Sequence, residues 1–421
     1  MADLLFRHWP VRIMQTDTIP HEASLALQPS RMRHTAVIGQ AGAGKANLLS
    51  QLIQFDVEND HGLIQFDLNG DATDAVLALV PKHRIRDVVL IDLSDIEFPP
   101  AINPLAGTGT DYDTVIADQL VDAFKSIAGY DQMATPDMDR TIYNAARAVI
   151  DIRGGTILDM YRMLVSERVR EKFVDGVRDP VVRSYWQDQF ARLEPREQAF
   201  ITKSTVNKLE PFVSDKRIRN ALGQGKPLVD FRLAMENRKI ILIKVPQTEF
   251  GLNKAKTVAG LLLAQFFSVA QRRKGLLPFH VYLPDCQHLT GNTLHQMLAT
   301  MGSRNVSLTL SFQYLHQLGN LREAVFGNIG NWIMFRVGLT DALELEKLFE
   351  WDNTRKLLYE LVHMEARIVT PYTNPSSLIT LLSNLNPNNY MNNIVEYSRH
   401  FYARPRKAVE KKLKHLLGRH S

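Results

Sequence analysis

Three short runs near the start of the chain, 35–39 (TAVIG), 62–67 (GLIQFD) and 88–92 (VVLID), are almost continuously apolar, rich in β-branched residues and bounded by Gly, Asp or Pro. Runs of that length without polar alternation mark strands covered on both faces, as in a parallel sheet. Between them the apolar spacing lengthens. Asn47 to Phe55 and Ala72 to Leu79 read as helices, the second with Asp71 placed as its N-cap. Strand and helix in alternation predict an α/β layer structure.

From Tyr112 to Gly225 the strand signal disappears and helical spacing takes over. Ile116, Leu120, Val121, Phe124 and Ile127 share one helical face. Asp179-Pro180 and Glu194-Pro195 each set an N-cap before a proline at the first helical position, and the GQGKP run at 223–227 ends the block. Strands then return at 239–245 (KIILIKV), 279–283 (FHVYL), 306–311 (VSLTLS), 332–337 (WIMFRV) and 366–370 (ARIVT), with a helix around Ala259 to Arg272 between the first two. We therefore expect one sheet built from both ends of the chain, residues 31–111 and 226–385. An all-helical domain, 112–225, is inserted between them, and an N-terminal extension, 1–30, and a C-terminal segment, 386–421, flank them. No internal repeat recurs at a fixed period.

Composition narrows the class. The 421 residues are 45% hydrophobic and 23% charged, with Gly and Pro dispersed, so collagen-like and largely disordered readings are excluded. The single cysteine, Cys286, excludes a disulfide framework and fits a reducing cytosol. The longest uncharged apolar stretch, Thr257 to Gln271, falls short of the roughly 20 residues of a spanning helix and reads as a buried one. The first residues show no apolar core of a signal peptide. A cytoplasmic location is expected. Residues 399–421 hold eight Lys/Arg against the single acid Glu410, a net +7, so residues 1–398 carry −2 of the total +5. Attraction to nucleic acid or to anionic lipid at the inner face of the membrane thus concentrates in a tail that is free to swing, unless the charges only solubilise it.

The chemistry begins where the first strand ends. Gly39-Gln40-Ala41-Gly42-Ala43-Gly44-Lys45 is a GxxxxGK loop between a strand and a helix, the context in which backbone N–H groups and a helix N-terminus cradle di- or triphosphate while the lysine meets the outer phosphates. Such loops end in Ser or Thr, whose hydroxyl ligates magnesium; here the position is Ala46. Asn47 lies about 100° further round the helix and is a poor substitute. The carboxylate pair normally found at the end of another buried strand is reduced to Pro284-Asp285, leaving Asp285 as a base or a water-mediated metal ligand if it is more than a strand-end residue. ATP binding is therefore expected to outlast magnesium binding, and the metal ligands are left open. The thirteen histidines show no metal-ligand spacing, and His280, His288 and His295 around Asp285 read as incidental.

These residues resemble a family. The run RMRHTAVIGQAGAGKANLLSQLIQFDVENDHGLIQFDLNGD is similar to the nucleotide-binding start of type IV secretion coupling proteins, the conjugative DNA-transfer ATPases of the HerA/FtsK superfamily. The likeness continues through INPL (102–105), DPVVRSYWQDQFARLEPREQAFITKSTVNKL, PFHVYLPDCQHL, SLTLSFQYLHQL and GNIGNWIMFRVGLTDALELEK, from about Arg31 to Ala366. It implies a RecA-like P-loop NTPase with a mostly parallel central sheet and an inserted all-helical domain, assembled as a hexameric ring that moves DNA with ATP beside the proteins of a transfer machinery. It also implies that Gly39 to Lys45 hold phosphates, that Gln313 faces the γ-phosphate and that Arg336 lies at a subunit interface. The departures gather in the catalytic set: Ala46, Pro284-Asp285, and Gly302 where an Arg is common, with Arg304 two residues on.

Two functions follow. One is a catalytically degenerate, nucleotide- and DNA-binding subunit, homo- or hetero-hexameric, that docks partners in a transfer complex. The other is an active DNA-translocating motor. A P-loop phosphotransferase acting on a small molecule is disfavoured by the helical insertion and the later motifs.

Overall fold

The computed structural model describes residues 31–107, 112–125, 136–275, 277–289, 291–349, 358–370, 378–380 and 387–418. The expected strands are all present: β1 (His34–Ile38), β2 (Gly62–Asp67), β3 (Val88–Asp92), β4 (Ile240–Lys244), β5 (Phe279–Leu283), β6 (Val306–Phe312), β7 (Ile329–Met334) and β8 (Glu365–Val369). A ninth, β9 (Leu378–Thr380), was not anticipated. They form one sheet in the order β3-β4-β2-β5-β6-β1-β7-β8-β9. The strands from β3 across to β7 are parallel, and β8 and β9 close that edge antiparallel. Parallel pairing needs crossovers that cover both faces, which is why these strands read as uninterrupted apolar runs.

Alternate residues of the strands feed two cores. On one face α1 (Lys45–Glu58) and α2 (Asp71–Leu77) bury Leu48, Leu52, Ile53 and Val76 against Leu63, Leu242 and Ile333. The other face holds Ile64, Phe66 and Ile241. Between β3 and β4 come α3 (Tyr112–Lys125), α4 (Pro136–Ile150), α5 (Ile157–Val165), α6 (Glu167–Val174), α7 (Pro180–Ser184), α8 (Pro195–Ser214), α9 (Lys216–Leu222) and α10 (Phe231–Glu236), with no strand among the described residues of this stretch. After β4, α11 (Gln247–Phe250) and α12 (Leu252–Gln271) lead to β5, α13 (Asn292–Thr300) precedes β6, α14 (Arg322–Asn328) precedes β7, and α15 (Leu339–Phe349) follows it. Helix α3 packs on α12, and Phe124, Trp186 and Phe212 of the helical stretch share a continuous core with Ile241 and Phe266. Helix α12 contains the apolar stretch ending at Gln271 and is buried along most of its length; no helix among the described residues is long and apolar enough to cross a membrane.

The caps differ in one place from the expectation. Asp179 accepts from the Val181 N–H, and Glu194 forms a reciprocal capping box with Glu197, as the proline pairs suggest. Asp71, however, is the first helical residue of α2 and not its N-cap; Gly70 takes the cap position at φ 101°. The carboxylate of Asp67, at the end of β2, reaches the third helical N–H instead, accepting from Thr73 at 2.7 Å as well as from Asn69 and Gly70. Ile127 of the expected α3 face lies outside the described residues.

The basic tail is docked through residue 418, which overturns the expectation that it swings free. Helix α16 (Met391–Tyr402) lies along β3, where Ser398 accepts from the Leu90 N–H at 2.8 Å and Arg399 pairs with Asp95 at 2.6 Å. Helix α17 (Arg406–Gly418) buries Val409 and Leu413, and its Glu410 is bonded to Arg406 and to Lys216 of α9. The apolar pair at i and i+4 decides the outcome, because it has a core to enter. Lys407, Lys411, Lys412 and Lys414 remain on the exposed side.

Candidate nucleotide-phosphate site

The loop that follows β1 sits at the C-terminal ends of the strands, where ligands of open α/β sheets bind. Two glycines are dictated by contact. A Cβ on Gly39 would lie 2.5 Å from Cβ of Phe335, and Gly44 has φ 121° with the Phe335 ring beneath it. Phe335 and Arg336, which follow β7, hold the other side: the Arg336 carbonyl accepts from the Gln40 N–H at 2.8 Å. The exposed Arg336 guanidinium reaches Gln40 Oε1 at 3.3 Å.

Lys45 is folded onto its own loop, donating to the carbonyls of Gly39 at 2.6 Å and Gln40 at 2.9 Å. Burial lowers its pKa, an effect that the Asp285 carboxylate partly offsets. The loop opens into a cavity of about 480 Å³. Gly42, Gly44, Lys45, Ala46 and Asn47 form one wall, Asp67, Asn69 and Asp71 a second, and Pro284, Asp285 and Gln313 a third. Gln40, Ala41 and Ala43 complete the loop without lining the cavity. The structure thus brings Asp285, Gln313 and the loop together, with Arg336 beside them.

Three features of the site were not legible beforehand. Residues after α15 return as a strap over the loop: His363 Nδ1 donates to the Gly42 carbonyl at 2.6 Å, and the Met364 N–H donates to Ala43 at 3.0 Å. Asn47 turns its amide to Met364 Sδ at 3.3 Å. Ser50, one helical turn beyond Ala46, also lines the cavity. Nothing in LVHMEA marks a strap, since its partners, Gly42, Ala43 and Asn47, lie more than 300 residues away in the sequence.

The donor set does not fit magnesium. Ala46 presents a methyl group, and Asp67 has its oxygens taken by three backbone N–H groups. Asp285 accepts from Asn69 Nδ2 at 2.6 Å and from Gln287 Nε2 at 3.3 Å. Asp71 is exposed at the rim. Arg304 and Gly302 lie in the turn entering β6, at the strand end opposite the cavity. Cys286 is fully buried and its thiol is pushed far up by burial, so it is inert. Of the histidines, His280 is held at the far end of β5, away from Asp285, bonded to Ser307 and His61.

Fold and loop together define a P-loop fold of RecA-like architecture, a mostly parallel sheet with a long helical insertion. In sequence the chain matches no protein-family model and no curated protein. In structure it is similar to the plasmid coupling protein TrwB in complex with the GTP analogue GDPNP, with TM-score 0.64 and 11% identity over 89% of this chain and 92% of that one. TrwB in complex with ADP and Mg²⁺ gives TM-score 0.64 and 10% identity, over 86% and 88%. VirB4 of Thermoanaerobacter pseudethanolicus gives TM-score 0.52 and 15% identity, over 85% and 90%. The resemblance to conjugative coupling proteins read from the motifs therefore holds at the level of the fold.

Proposed function

We propose that the chain is a nucleotide- and DNA-binding subunit of a DNA-transfer complex whose catalytic centre is degenerate. The observation that carries this reading is a formed phosphate loop with Lys45 in place, facing a wall in which Ala46 has no hydroxyl and Asp285 is tied to two amides. Nucleotide phosphates would draw Lys45 off the Gly39 and Gln40 carbonyls, and the loop N–H groups would hold them. Gln313 would face the outer phosphate, and Arg336, exposed beside the loop, would meet a neighbouring subunit of a ring. The helical insertion, 112–225, would serve as the docking domain for partner proteins. Similarity to TrwB structures that hold nucleotide supports the first part of this reading.

The test is binding of a fluorescent ATP analogue with and without magnesium, together with phosphate release on adding DNA. Lys45→Ala should weaken binding by roughly 10- to 100-fold, the worth of a charge-assisted contact to phosphate, while release stays at background in both proteins. DNA-stimulated release by the wild type would restore the motor reading.

The DNA surface is assigned to Lys407, Lys411 and Lys414, spaced along the exposed face of α17. Truncating the tail would also strip Val409 and Leu413 from the core, so point substitutions are the cleaner probe. Replacing all three lysines by Gln should flatten the salt dependence of DNA binding by about two to three units of slope. An unchanged slope with lost binding to anionic vesicles would assign the stripe to a membrane surface.

A further inference from the structure

At the end of the sheet opposite the phosphate loop, three side chains from distant parts of the sequence converge. Asp56 lies in the last turn of α1, His61 in the turn before β2, and His280 on β5. His61 Nδ1 is 3.3 Å from Asp56 Oδ1 and 3.3 Å from His280 Nε2, and His280 Nε2 is 3.5 Å from Asp56 Oδ1. Asp56 and His280 are fully buried, whereas the His61 side chain is 26% exposed.

Hydrogen bonding accounts poorly for this triangle. Each edge exceeds the usual 2.7–3.2 Å of N–H···O bonds. The outer nitrogen of His280, Nδ1, is 2.7 Å from Ser307 Oγ. When Nδ1–H donates to that hydroxyl, Nε2 is left as a lone pair facing the Asp56 oxygen at 3.5 Å, and the single His61 Nδ1 proton is shared between the two. A cation serves all three. Tetrahedral zinc binds His nitrogen and carboxylate oxygen at about 2.0–2.2 Å, which sets ligand–ligand edges of roughly 3.3–3.6 Å, the lengths seen here.

We propose that Asp56, His61 and His280 form a tetrahedral site for a divalent transition metal, zinc by its ligand class, with water entering on the exposed His61 side as the fourth ligand. The surroundings supply the supporting shell such sites use. Ser307 orients the His280 ring through its outer nitrogen, and the other Asp56 oxygen is held by Arg31 Nη2 and the Tyr282 hydroxyl, each at 2.5 Å. The ion would pin the C-terminal end of the phosphate-loop helix to β5. The site is independent of the nucleotide cavity, which lies at the other ends of the same strands.

The experiment uses the full chain, stripped with chelator and then titrated with Co²⁺ and Zn²⁺. One metal per chain by elemental analysis is expected, with the intense visible absorption of tetrahedral Co²⁺ and its displacement by Zn²⁺. Because His280 is wholly buried, its removal risks the fold, so the partly exposed His61 is the residue to change. His61→Ala should weaken metal binding by more than tenfold with the circular dichroism spectrum retained, and Ser307→Ala should weaken it roughly tenfold through loss of the orienting bond. Substoichiometric metal in the wild type, or equal affinity in His61→Ala, would overturn the assignment. So would loss of the ion in Asp285→Asn, which would place it in the nucleotide cavity.

Discussion

Strand β5 carries polar chemistry at both ends, and the ends treat it differently. At one end His280, with Asp56, Arg31 and Tyr282, is buried and bonded side chain to side chain, and the buried Arg31 Nε has no acceptor among the described residues. At the other, Asp285 and Asn69 face a cavity, and Lys45 bonds carbonyls of its own loop. A buried ion pair that loses one member leaves a charge in low dielectric, whereas a group facing a wet cavity falls back on solvent. The absence of a hydroxyl at 46 and of a second carboxylate near 285 therefore costs the fold little. On the function proposed above, this is how a phosphate loop and a sheet would persist around a reduced catalytic set.

The largest expected effect tests that contrast directly. Asp56→Asn keeps the volume but strands the Arg31 guanidinium, and should cost about 3–5 kcal/mol in denaturant unfolding measured with chelator present. Asp285→Asn should cost under about 1 kcal/mol in the same measurement. Equal losses would break the comparison. Repeating both with Zn²⁺ sharpens it, since only the wild-type and Asp285→Asn proteins should gain stability from the ion.

A smaller effect comes from His34, at the start of β1 and on the sealed side. Burial pulls its pKa down to about 4, while the Leu308 N–H donates to Nδ1 at 3.0 Å. The native state keeps the ring neutral where the unfolded chain protonates it, so the unfolded chain binds more protons between about pH 6.5 and 4. Stability should therefore fall as pH drops through that window, by at most about 3 kcal/mol from this group. His34→Asn offers Oδ1 to the same N–H and cannot titrate. The difference between wild-type and variant unfolding free energies should narrow from pH 7 to pH 4; a constant difference would show that His34 is not held neutral.

The strands and the phosphate loop were legible because each is local: an apolar β-branched run, or seven residues in fixed spacing. β9 was missed because Leu378–Thr380 is only three residues long. The docked tail was misread because eight basic residues outweighed a single apolar pair, Val409 and Leu413, whose partners lie elsewhere in the chain. The sealed cluster was illegible for the same reason. Residues 31, 56, 61, 280, 282 and 307 have no common period, and only the parallel pairing of β2, β5 and β6 brings them together. Asp67 stands at a strand end on the cavity wall, yet the turn after β2 uses both its oxygens as acceptors for backbone N–H groups.

The smallest effect is the most informative about the open end. Ala46→Ser puts a hydroxyl at the first turn of α1, on the cavity wall beside Lys45, where a magnesium ligand belongs. Asp285 stays bonded to Asn69, so only one of the missing parts returns. A single added ligand to a hydrated ion is worth on the order of 1 kcal/mol, so nucleotide binding should tighten roughly three- to tenfold with magnesium and not without it. Phosphate release should stay at background, because nothing new orients the attacking water. If the serine alone brings DNA-stimulated release, the wall at 284–285 was never the deficit and the motor reading stands. If magnesium still has no effect on binding, the strap at His363 and Met364 holds the cavity in a shape that the ion cannot enter, and His363→Ala in the Ala46→Ser background becomes the decisive variant.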